Sequence, residues 1–396
     1  MTSWAGGGMS GSLLAITLAA SVGLLAGKMR IRGAGFGVAG VLLAGILLSR
    51  LGFSALPDVL EFGQQFGLIF FVYAVGLQAG PGFVESFKRR GLALNLLATG
   101  TVFVGSLLTL LLPWAGVPRA TALGLYSGAT TNTPSYGAAL QVLKLSPHFT
   151  PQAGRFLDVG YALAYPFGVL GVMLAYSALK FFFRGLPGSV LDARPAVEFA
   201  AASARESCEE ESGAPIVLSL FIGILAGVLL GSIPLPVPGL PAPIRLGPAG
   251  GPIIAAIFLG RVRRLGPFDF TLSRGANALL REIGITLFMA CVGLKAGEGF
   301  FDVLVDGPGI RWIAWGAFLT LVPTLLVGAA ARRALGLDSA SVGGLLAGSS
   351  TNPPALSFAA DREKSEEPSI AYATVYPLTM ILRILTAQVM ALFFFR

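Results

Sequence analysis

Two short polar strings interrupt an apolar chain at matching places in its two halves: Gly128-Ala129-Thr130-Thr131-Asn132-Thr133-Pro134 and Gly348-Ser349-Ser350-Thr351-Asn352-Pro353-Pro354. The chain of 396 residues is 54% hydrophobic and only 12% charged, and its mean hydropathy is +0.76. A soluble domain needs a more polar surface than this composition supplies. The sequence therefore predicts an all-α polytopic membrane protein whose motif-bearing segments are broken or re-entrant.

Apolar stretches recur in two series of six. Several are shorter than the ~20 residues that a straight helix needs to cross a bilayer, so we expect some to be broken, re-entrant or shielded by neighbours. The first series lies at about 13–27, 36–48, 66–80, 92–113, 120–140 and 159–183. The second lies at about 216–233, 252–259, 283–294, 312–331, 342–358 and 370–395.

The two halves repeat each other. Residues 66–83 and 283–300, offset by 217, are identical at nine of eighteen positions. The polar strings align at an offset of 220, and Tyr161-Ala-Leu-Ala-Tyr165-Pro166 aligns with Tyr372-Ala-Thr-Val-Tyr376-Pro377 at an offset of 211. We assign residues 13–183 and 215–395 to two membrane repeats. Residues 184–214, which are charged and too few for a folded domain, form a linker.

Basic residues indicate the orientation of the repeats, because short cytoplasmic loops are enriched in Lys and Arg. Basic clusters follow segments one and three in the first half but segments two and four in the second: Lys28, Arg30 and Arg32; Lys88, Arg89 and Arg90; Arg261, Arg263 and Arg264; Arg332 and Arg333. This pattern predicts inverted repeats and a cytoplasmic linker. Residues 1–12 contain no Lys or Arg, so we expect a retained first helix with its N-terminus outside rather than a signal peptide.

Inversion requires an odd number of crossings in each repeat, whereas each series has six segments. We expect the fifth segment, which carries the polar string, to enter and leave on the same side. Such hairpins would bring Asn132 and Asn352 towards the midplane from opposite sides. A fifth segment that crosses twice, or another segment that does not cross, would change the count without changing the inversion. The predicted fold is thus two inverted repeats of five to six helical segments each.

The strings combine residues that interrupt a helix and free its backbone groups, which lipid tolerates only where protein or a water-filled cavity satisfies them. Opposed half-helix N-termini would offer N–H groups and a positive dipole end to a carboxylate, and Thr and Asn side chains would add neutral donors and acceptors. The alternative is a pair of interfacial turns without a ligand. The candidate substrate-binding residues of the strings are Thr130, Thr131, Asn132, Thr133, Pro134, Ser349, Ser350, Thr351, Asn352 and Pro353.

Arg383 lies inside the last apolar segment, where an ionisable group is costly and points to function. Its guanidinium could grip a substrate carboxylate with two hydrogen bonds. A structural pair with Asp158 or Glu282 is the competing interpretation. Further lining candidates are Gln78, Lys295, Asp158, Tyr165 and Tyr376. The alternative for Lys295 is a side chain that snorkels to the interface, and the alternative for Asp158 is a solvated helix start.

Several other classes are disfavoured. Residues 35–40 match a dinucleotide-binding fingerprint but open a membrane segment rather than follow a buried strand, so close helix packing is the better interpretation. The chain has one histidine, His148, and two cysteines, Cys208 and Cys291, which build no zinc set, disulfide framework or Cys–His nucleophile. The net charge of +8 lies largely in the predicted inside loops. We therefore expect neither an enzyme nor nucleic-acid binding.

The paired polar strings, the strings 75–80 (Val-Gly-Leu-Gln-Ala-Gly) and 292–297 (Val-Gly-Leu-Lys-Ala-Gly), and the paired Tyr-Pro strings together resemble the aspartate:alanine exchanger family. The resemblance covers nearly the whole chain. It implies a duplicated membrane domain in a bacterial inner membrane, which exchanges aspartate for alanine or carries related amino acids and dicarboxylates, with 130–134 and 350–354 lining the site. Many members carry two soluble regulatory domains between the halves, where this chain has only the short linker.

The sequence and the resemblance together favour an alternating-access secondary transporter of small carboxylates. A sodium- or proton-coupled symporter of organic anions is the nearest alternative, and a passive channel the second. The expected partners are a small carboxylate and the lipid bilayer, with a homodimer as the expected assembly. No metal or cofactor is expected apart from a coupling Na⁺ or H⁺.

Overall fold

The structure, a computed structural model, describes residues 8–28, 30–31, 34–35, 37–83, 89–147, 149–183, 216–235, 244–365 and 367–395. Within these residues each half has seven α-helices. The first half contains α1 (Met9–Gly27), α2 (Ala39–Arg50), α3 (Pro57–Phe83), α4 (Arg89–Leu111), α5 (Arg119–Ala129), α6 (Thr133–Leu145) and α7 (Pro151–Phe182). The second contains α8 (Ile216–Ser232), α9 (Gly247–Val262), α10 (Arg274–Phe301), α11 (Gly309–Ala334), α12 (Ser339–Ser349), α13 (Pro353–Glu363) and α14 (Glu367–Phe394).

Short elements join several of the helices. A 3-10 turn, Leu112–Ala115, follows α4, and a π-helical turn, Asp302–Asp306, follows α10. Antiparallel pairs of two-residue strands connect α1 to α2, α8 to α9 and α9 to α10: β1 (Arg30–Ile31) with β2 (Ala34–Gly35), β3 (Pro234–Leu235) with β4 (Ile244–Arg245), and β5 (Arg264–Leu265) with β6 (Phe268–Asp269). Strands of this length build no sheet core, so helices alone form the body of the protein.

Seven of the described helices are long and apolar enough to cross a membrane, namely α1, α3, α4, α7, α10, α11 and α14. The apolar helices α2, α8 and α9 are shorter, with 12, 17 and 16 residues. The chain is therefore a multi-pass membrane protein, and the predicted all-α polytopic fold class is confirmed. The inverted orientation of the repeats stays a prediction, and the predicted linker at 184–214 lies outside the described residues.

The fifth segment of each half is divided into two helices at its polar string. At the outer ends of α5 and α6, Arg119 Nη1 donates to Phe394 O (2.8 Å) and Ser146 Oγ donates to Phe395 O (3.0 Å). Both ends of the segment therefore meet at the C-terminal end of α14. Helices α5 and α6 and the residues between them form a hairpin, which we call hairpin 1.

The corresponding segment of the second half returns to the C-terminal end of α7. Arg332 donates to Leu337 O, just before α12, and to Phe183 O (3.3 Å), just after α7. At the end of α13, Glu363 accepts a hydrogen bond from Lys180 of α7 (2.7 Å). We call α12, α13 and the residues between them hairpin 2. Both of its ends lie at the C-terminal end of α7, as both ends of hairpin 1 lie at the C-terminal end of α14.

The helices pack as two groups, each containing the same helices from both halves. The scaffold bundle consists of α1–α3 and α8–α10, where α3 packs on both α9 and α10, and α2 packs on α10. The hairpin bundle consists of α4–α7 and α11–α14, where α5 packs on α7, α12 packs on α14, and α11 packs on α7. The groups meet where α7 contacts α10, α6 contacts α9, and α14 contacts α3.

In the scaffold bundle, glycines at equivalent positions of the two repeats lie where helices of the two halves pack closely together. A Cβ on Gly67 would lie 2.6 Å from Gly284 O, and a Cβ on Gly284 would lie 2.6 Å from Gly67 O and 2.5 Å from Phe71 N. A Cβ on Gly76 would lie 2.7 Å from a carbonyl oxygen of α9, and one on Gly293 2.4 Å from a carbonyl oxygen of α2. Small residues at such crossings let two backbones approach closely in a membrane. The paired Val-Gly-Leu strings therefore mark helix packing.

We expect the Gly284→Ala substitution to destabilise the protein, because the added methyl group has no space between α10 and α3. Overpacking of this kind costs about 1–3 kcal/mol. Gly299→Ala in the same helix is the matched control: its Cβ would meet nothing within 4 Å, and Ala favours a helix over Gly by ~1 kcal/mol. Thermal unfolding in detergent should show a lower midpoint for the first variant only. Equal midpoints would contradict this packing.

Candidate functional site

The breaks in the two hairpins have the same backbone geometry. Thr131 and Thr351, at equivalent positions, both have φ of 49°. A β-branched residue rarely adopts this left-handed conformation, and strain of this kind concentrates at functional sites. The next residues begin the second helix of each hairpin: Asn132 Oδ1 accepts from Ser135 N (2.8 Å), and Asn352 Oδ1 accepts from Ala355 N (3.0 Å). The chain reverses at each tip because a threonine turns it and an asparagine caps the outgoing helix.

The two tips bind each other reciprocally. Thr131 Oγ1 donates to Ser350 O (2.9 Å), and Thr351 Oγ1 donates to Thr130 O (3.1 Å), which is the same bond with the repeats exchanged. Asn132 Nδ2 also donates to Thr351 Oγ1 (3.1 Å). The side chains of the tips are buried. The structure therefore brings the central residues of both strings together, and each tip satisfies backbone groups that the break in the other leaves free.

The long helices α7 and α14 flank the joined tips. Asn352 Nδ2 donates to Gly168 O (3.1 Å) and Val169 O (3.3 Å) in α7, and Asn132 Nδ2 lies 3.3 Å from Met380 Sδ in α14. At the offset of 211, Val169 and Met380 are equivalent residues. Each asparagine thus caps its own helix with its oxygen and binds the long helix of the other half with its nitrogen.

The expected N–H donors of hairpin 2 are not free. Pro353 and Pro354 have no N–H group, and the third N–H of α13, that of Ala355, is taken by Asn352. The expectation that this helix N-terminus offers unpaired N–H groups to a carboxylate is therefore wrong. The two prolines lack an N–H group and the asparagine cap occupies the next one, so the first turn of α13 has no free N–H donor. Any attraction for an anion here must come from another group.

That group is Arg383, whose side chain is 1% exposed. Its Nε (3.0 Å) and Nη2 (2.6 Å) donate to Ser349 O at the C-terminal end of α12, where the negative end of the helix dipole favours a cation. Its guanidinium carbon lies 5.7 Å from the centre of the Tyr126 ring. Arg383 forms no ion pair with any residue that the structure describes, and its Nη1 is buried without a hydrogen-bond partner.

The competing structural pairs of Arg383 are not formed. Asp158 accepts its hydrogen bond from Tyr136, and Glu282 is exposed on α10. A buried guanidinium with an unused Nη1, and with no carboxylate partner among the described residues, therefore lies beside the hairpin tips. Burial of a cation without a counter-charge is costly unless a ligand supplies that charge.

The remaining candidates of the strings lie just beyond the tips. Thr133 Oγ1 is 3.0 Å from the hydroxyl of Tyr161, and Ser349 contributes its carbonyl oxygen to Arg383. Pro134 is buried in the first turn of α6, whereas Pro353 in the first turn of α13 is exposed. The proline equivalent to Pro134 at the offset of 220 is Pro354, which is partly buried.

The aromatic candidates belong to two tyrosine pairs in the hairpin bundle, one tilted and one stacked. Tyr165 packs on Tyr161 with ring centres 5.3 Å apart, and Tyr376 packs on Tyr372 at 4.9 Å. Each pair lies within one of the long helices that flank the tips, α7 and α14.

Gln78 and Lys295 lie on the scaffold bundle. Gln78 is exposed and accepts a hydrogen bond from Arg281 Nη1 (3.3 Å), not from either tip. Lys295 is partly buried and interacts electrostatically with Asp158. Asp158 is not the solvated helix start that its position suggested, because it is 2% exposed. The structure thus places Gln78 on the exposed face of α3 beside Arg281, and Lys295 on α10.

Sequence reasoning missed two residues that hold the tips. Tyr126 lies beneath Arg383, and its hydroxyl is 2.9 Å from Thr386 Oγ1. Thr320 of α11 donates to Ala129 O (2.8 Å), the carbonyl equivalent to Ser349 O in the first repeat. Tyr126 stands two residues before the first string, which was the available signal. Nothing in the sequence marks Thr320.

Comparison with known proteins identifies the family. The sequence model of the family Asp-Al_Ex, described as "Predicted Permease Membrane Region", matches residues 15–181 and 219–392. The protein named "Uncharacterized transporter BF2507" from Bacteroides fragilis is 31% identical over 547 positions, covering 98% of this chain and 97% of that protein. "Putative transport protein PM1071" from Pasteurella multocida is 32% identical over 543 positions, covering 96% and 98%.

The alignment with the Bacteroides protein is longer than this chain, so that relative carries at least 151 positions that the chain lacks. The family matches in two blocks, one in each half, and both blocks contain a complete hairpin with its tip. The names of the relatives agree with a role in transport. With its two matched blocks and its near-full-length relatives, the chain belongs to the Asp-Al_Ex family of permease membrane regions.

Proposed function

We propose that this protein is a secondary active transporter that binds a small carboxylate where the hairpin tips meet, with Arg383 as the counter-charge. The observation that carries the proposal is the buried guanidinium beside the tips, which has a free Nη1 and no ion pair within the described part of the chain. A carboxylate there would accept a charge-assisted hydrogen bond from Nη1 and supply the missing negative charge. Thr130, Thr131 and Thr351 add neutral hydroxyls at the same place.

Unequal packing of the two hairpins supports alternating access. Every residue of α6 from 133 to 140 is buried, and α6 packs on α3, α9 and α14. In α13 only Ala355 and Ala359 are buried, while Ser357 and Asp361 are exposed. A hydroxyl and a carboxylate on the exposed face favour water there over lipid. We infer that this state is open to water beside hairpin 2 and closed beside hairpin 1. In the opposite state of the transport cycle, hairpin 1 would be the exposed hairpin and hairpin 2 the tightly packed one.

The distribution of basic residues indicates which side of the membrane the open hairpin faces. Hairpin 2 returns to the end of α7, next to the linker that we expect to be cytoplasmic. The open side would then be the cytoplasmic side, in a bacterial inner membrane, with the repeats inverted. The proposed substrates are acidic amino acids or dicarboxylates such as aspartate, with exchange for alanine as the activity implied by the family resemblance. A homodimer joined through the scaffold bundle is the proposed assembly.

Counterflow in proteoliposomes tests the proposed function. Vesicles preloaded with aspartate, alanine, glutamate or succinate should take up the same labelled compound faster than empty vesicles, because exchange through a carrier is accelerated by substrate on the far side. A channel would show conduction without saturation or such acceleration. Absence of acceleration with all four compounds would exclude this substrate class.

Substitution of Arg383 should weaken carboxylate binding while leaving the folded protein intact. Removing one partner of a buried charge pair costs about 2–5 kcal/mol, so Arg383→Gln should raise the half-saturation concentration by roughly 30-fold or more. Arg383→Lys keeps the charge but loses the planar guanidinium, so its half-saturation concentration should lie between those of the parent protein and Arg383→Gln. Arg281→Gln, which removes an arginine of α10 away from the tips, is the control. Unchanged affinity in Arg383→Gln, with a normal elution profile in size-exclusion chromatography, would contradict the assignment.

Cysteine labelling tests the unequal exposure of the hairpins. In a Cys208→Ser background, where the remaining Cys291 is buried, Ser357→Cys on α13 should react with a membrane-impermeant thiol reagent. Ala138→Cys on α6, whose parent side chain is 0% exposed, should not react. Equal reactivity at both positions would rule out the open and closed sides assigned here.

A further inference from the structure

Asp158 is another buried ionisable residue, in addition to Arg383. Its side chain is 2% exposed, and Oδ1 accepts a hydrogen bond from the Tyr136 hydroxyl. Gln64 Nε2 in turn donates to the Tyr136 hydroxyl (3.1 Å), and Gln64 Oε1 is buried without a partner. The three side chains come from α7, α6 and α3. The network therefore crosses from the hairpin bundle to the scaffold bundle.

The charged and titratable groups around Asp158 are few. Tyr136 and Lys144 act on it from α6, and Lys295 acts on it from α10. Lys144 is itself paired with Glu61 of α3 (2.5 Å). Asp158 forms no ion pair with any residue in the described ranges. Its carboxyl group is thus held by one phenol and influenced by two amines that do not contact it.

The network has no counterpart in the second repeat. The residues equivalent to Asp158, Tyr136 and Gln64 are Ser369, Leu356 and Arg281. Ser369 is exposed and Leu356 is partly buried. Since the second repeat builds the same helices without these groups, the fold does not require a buried carboxyl group at this position. A specific use in one half explains its presence better than packing does.

We propose that Asp158 is a proton-binding site that couples carboxylate transport to proton movement, an inference that rests on the proposed transport function. The carboxylate takes one proton from water on one side of the membrane and releases it to water on the other side. The free-energy cost of the Asp158 charge depends on whether the site faces water or protein. A movement that separates α6 and α7 from α3 and α10 would therefore change its proton occupancy.

The direction of coupling follows from the placement of the two charged groups. Asp158 on α7 and Arg383 on α14 both belong to the hairpin bundle. A movement of this bundle relative to the scaffold bundle carries both groups together. When both sites are occupied during this movement, the proton travels with the carboxylate and the coupled process is a symport.

Transport under a pH gradient tests the coupling. In proteoliposomes with aspartate, glutamate or succinate as the probe, acid outside should accelerate uptake by the parent protein. Asp158→Asn should retain counterflow at equal pH and lose the response to the gradient, whereas Glu282→Gln, which removes an exposed carboxylate of α10, should keep both. A gradient response that survives in Asp158→Asn, or that is absent in the parent protein while counterflow is intact, would overturn the inference.

Infrared spectroscopy of the purified protein tests the proton site without substrate. A pH titration should show a protonated carboxyl C=O band that is present in the parent protein and in Glu282→Gln and absent in Asp158→Asn. Tyr136→Phe should shift this band, because it removes the hydrogen bond without changing charge. If Asp158→Asn does not fold, Asp158→Glu should retain a displaced band. A carboxyl band that is unaffected by these substitutions overturns the inference, whether or not the probes are transported. Absence of transport for all probes would instead exclude the proposed substrates.

Discussion

The structure depends on the reciprocal hydrogen bonds between the hairpin tips. A chain that breaks two helices at membrane depth must satisfy the freed backbone groups, since lipid offers no partners. Here Thr131 donates to the carbonyl of Ser350 and Thr351 donates to the carbonyl of Thr130. Each break therefore supplies what the other lacks. The conformational strain at the two left-handed threonines is tolerated because the opposite tip holds each of them in place.

The buried charged residues to which we assign function lie at positions where the two repeats differ. The two repeats share helix order, glycine contacts and tip geometry, all of which serve packing. Arg383 instead corresponds to Val172 in the first repeat, and Asp158 corresponds to Ser369 in the second. Asp158 and Arg383 are thus buried charged residues that have no charged equivalent in the other half. A duplicated fold provides the framework, and single substitutions in one copy provide the charges.

Much of this arrangement could be predicted from the sequence, because duplication and hydropathy act over many residues. The membrane fold class, the two halves and the break at each string all follow from such patterns. The N-terminal donors of α13 were predicted wrongly, since the sequence does not show that Asn352 caps the helix that Pro353 begins. The burial of Asp158 and the isolation of Arg383 depend on contacts between distant helices, which local patterns do not encode.

The contact between Gly67 and Gly284 has a consequence for how such a chain can arise. These glycines occupy the same place in the two repeats, and each meets the other. A surface that pairs with its own copy is the defining property of an isologous dimer. A protein of half this length would therefore already possess the interface that joins α3 to α10. Gene fusion could preserve that interface and free each copy to acquire its own charged residue.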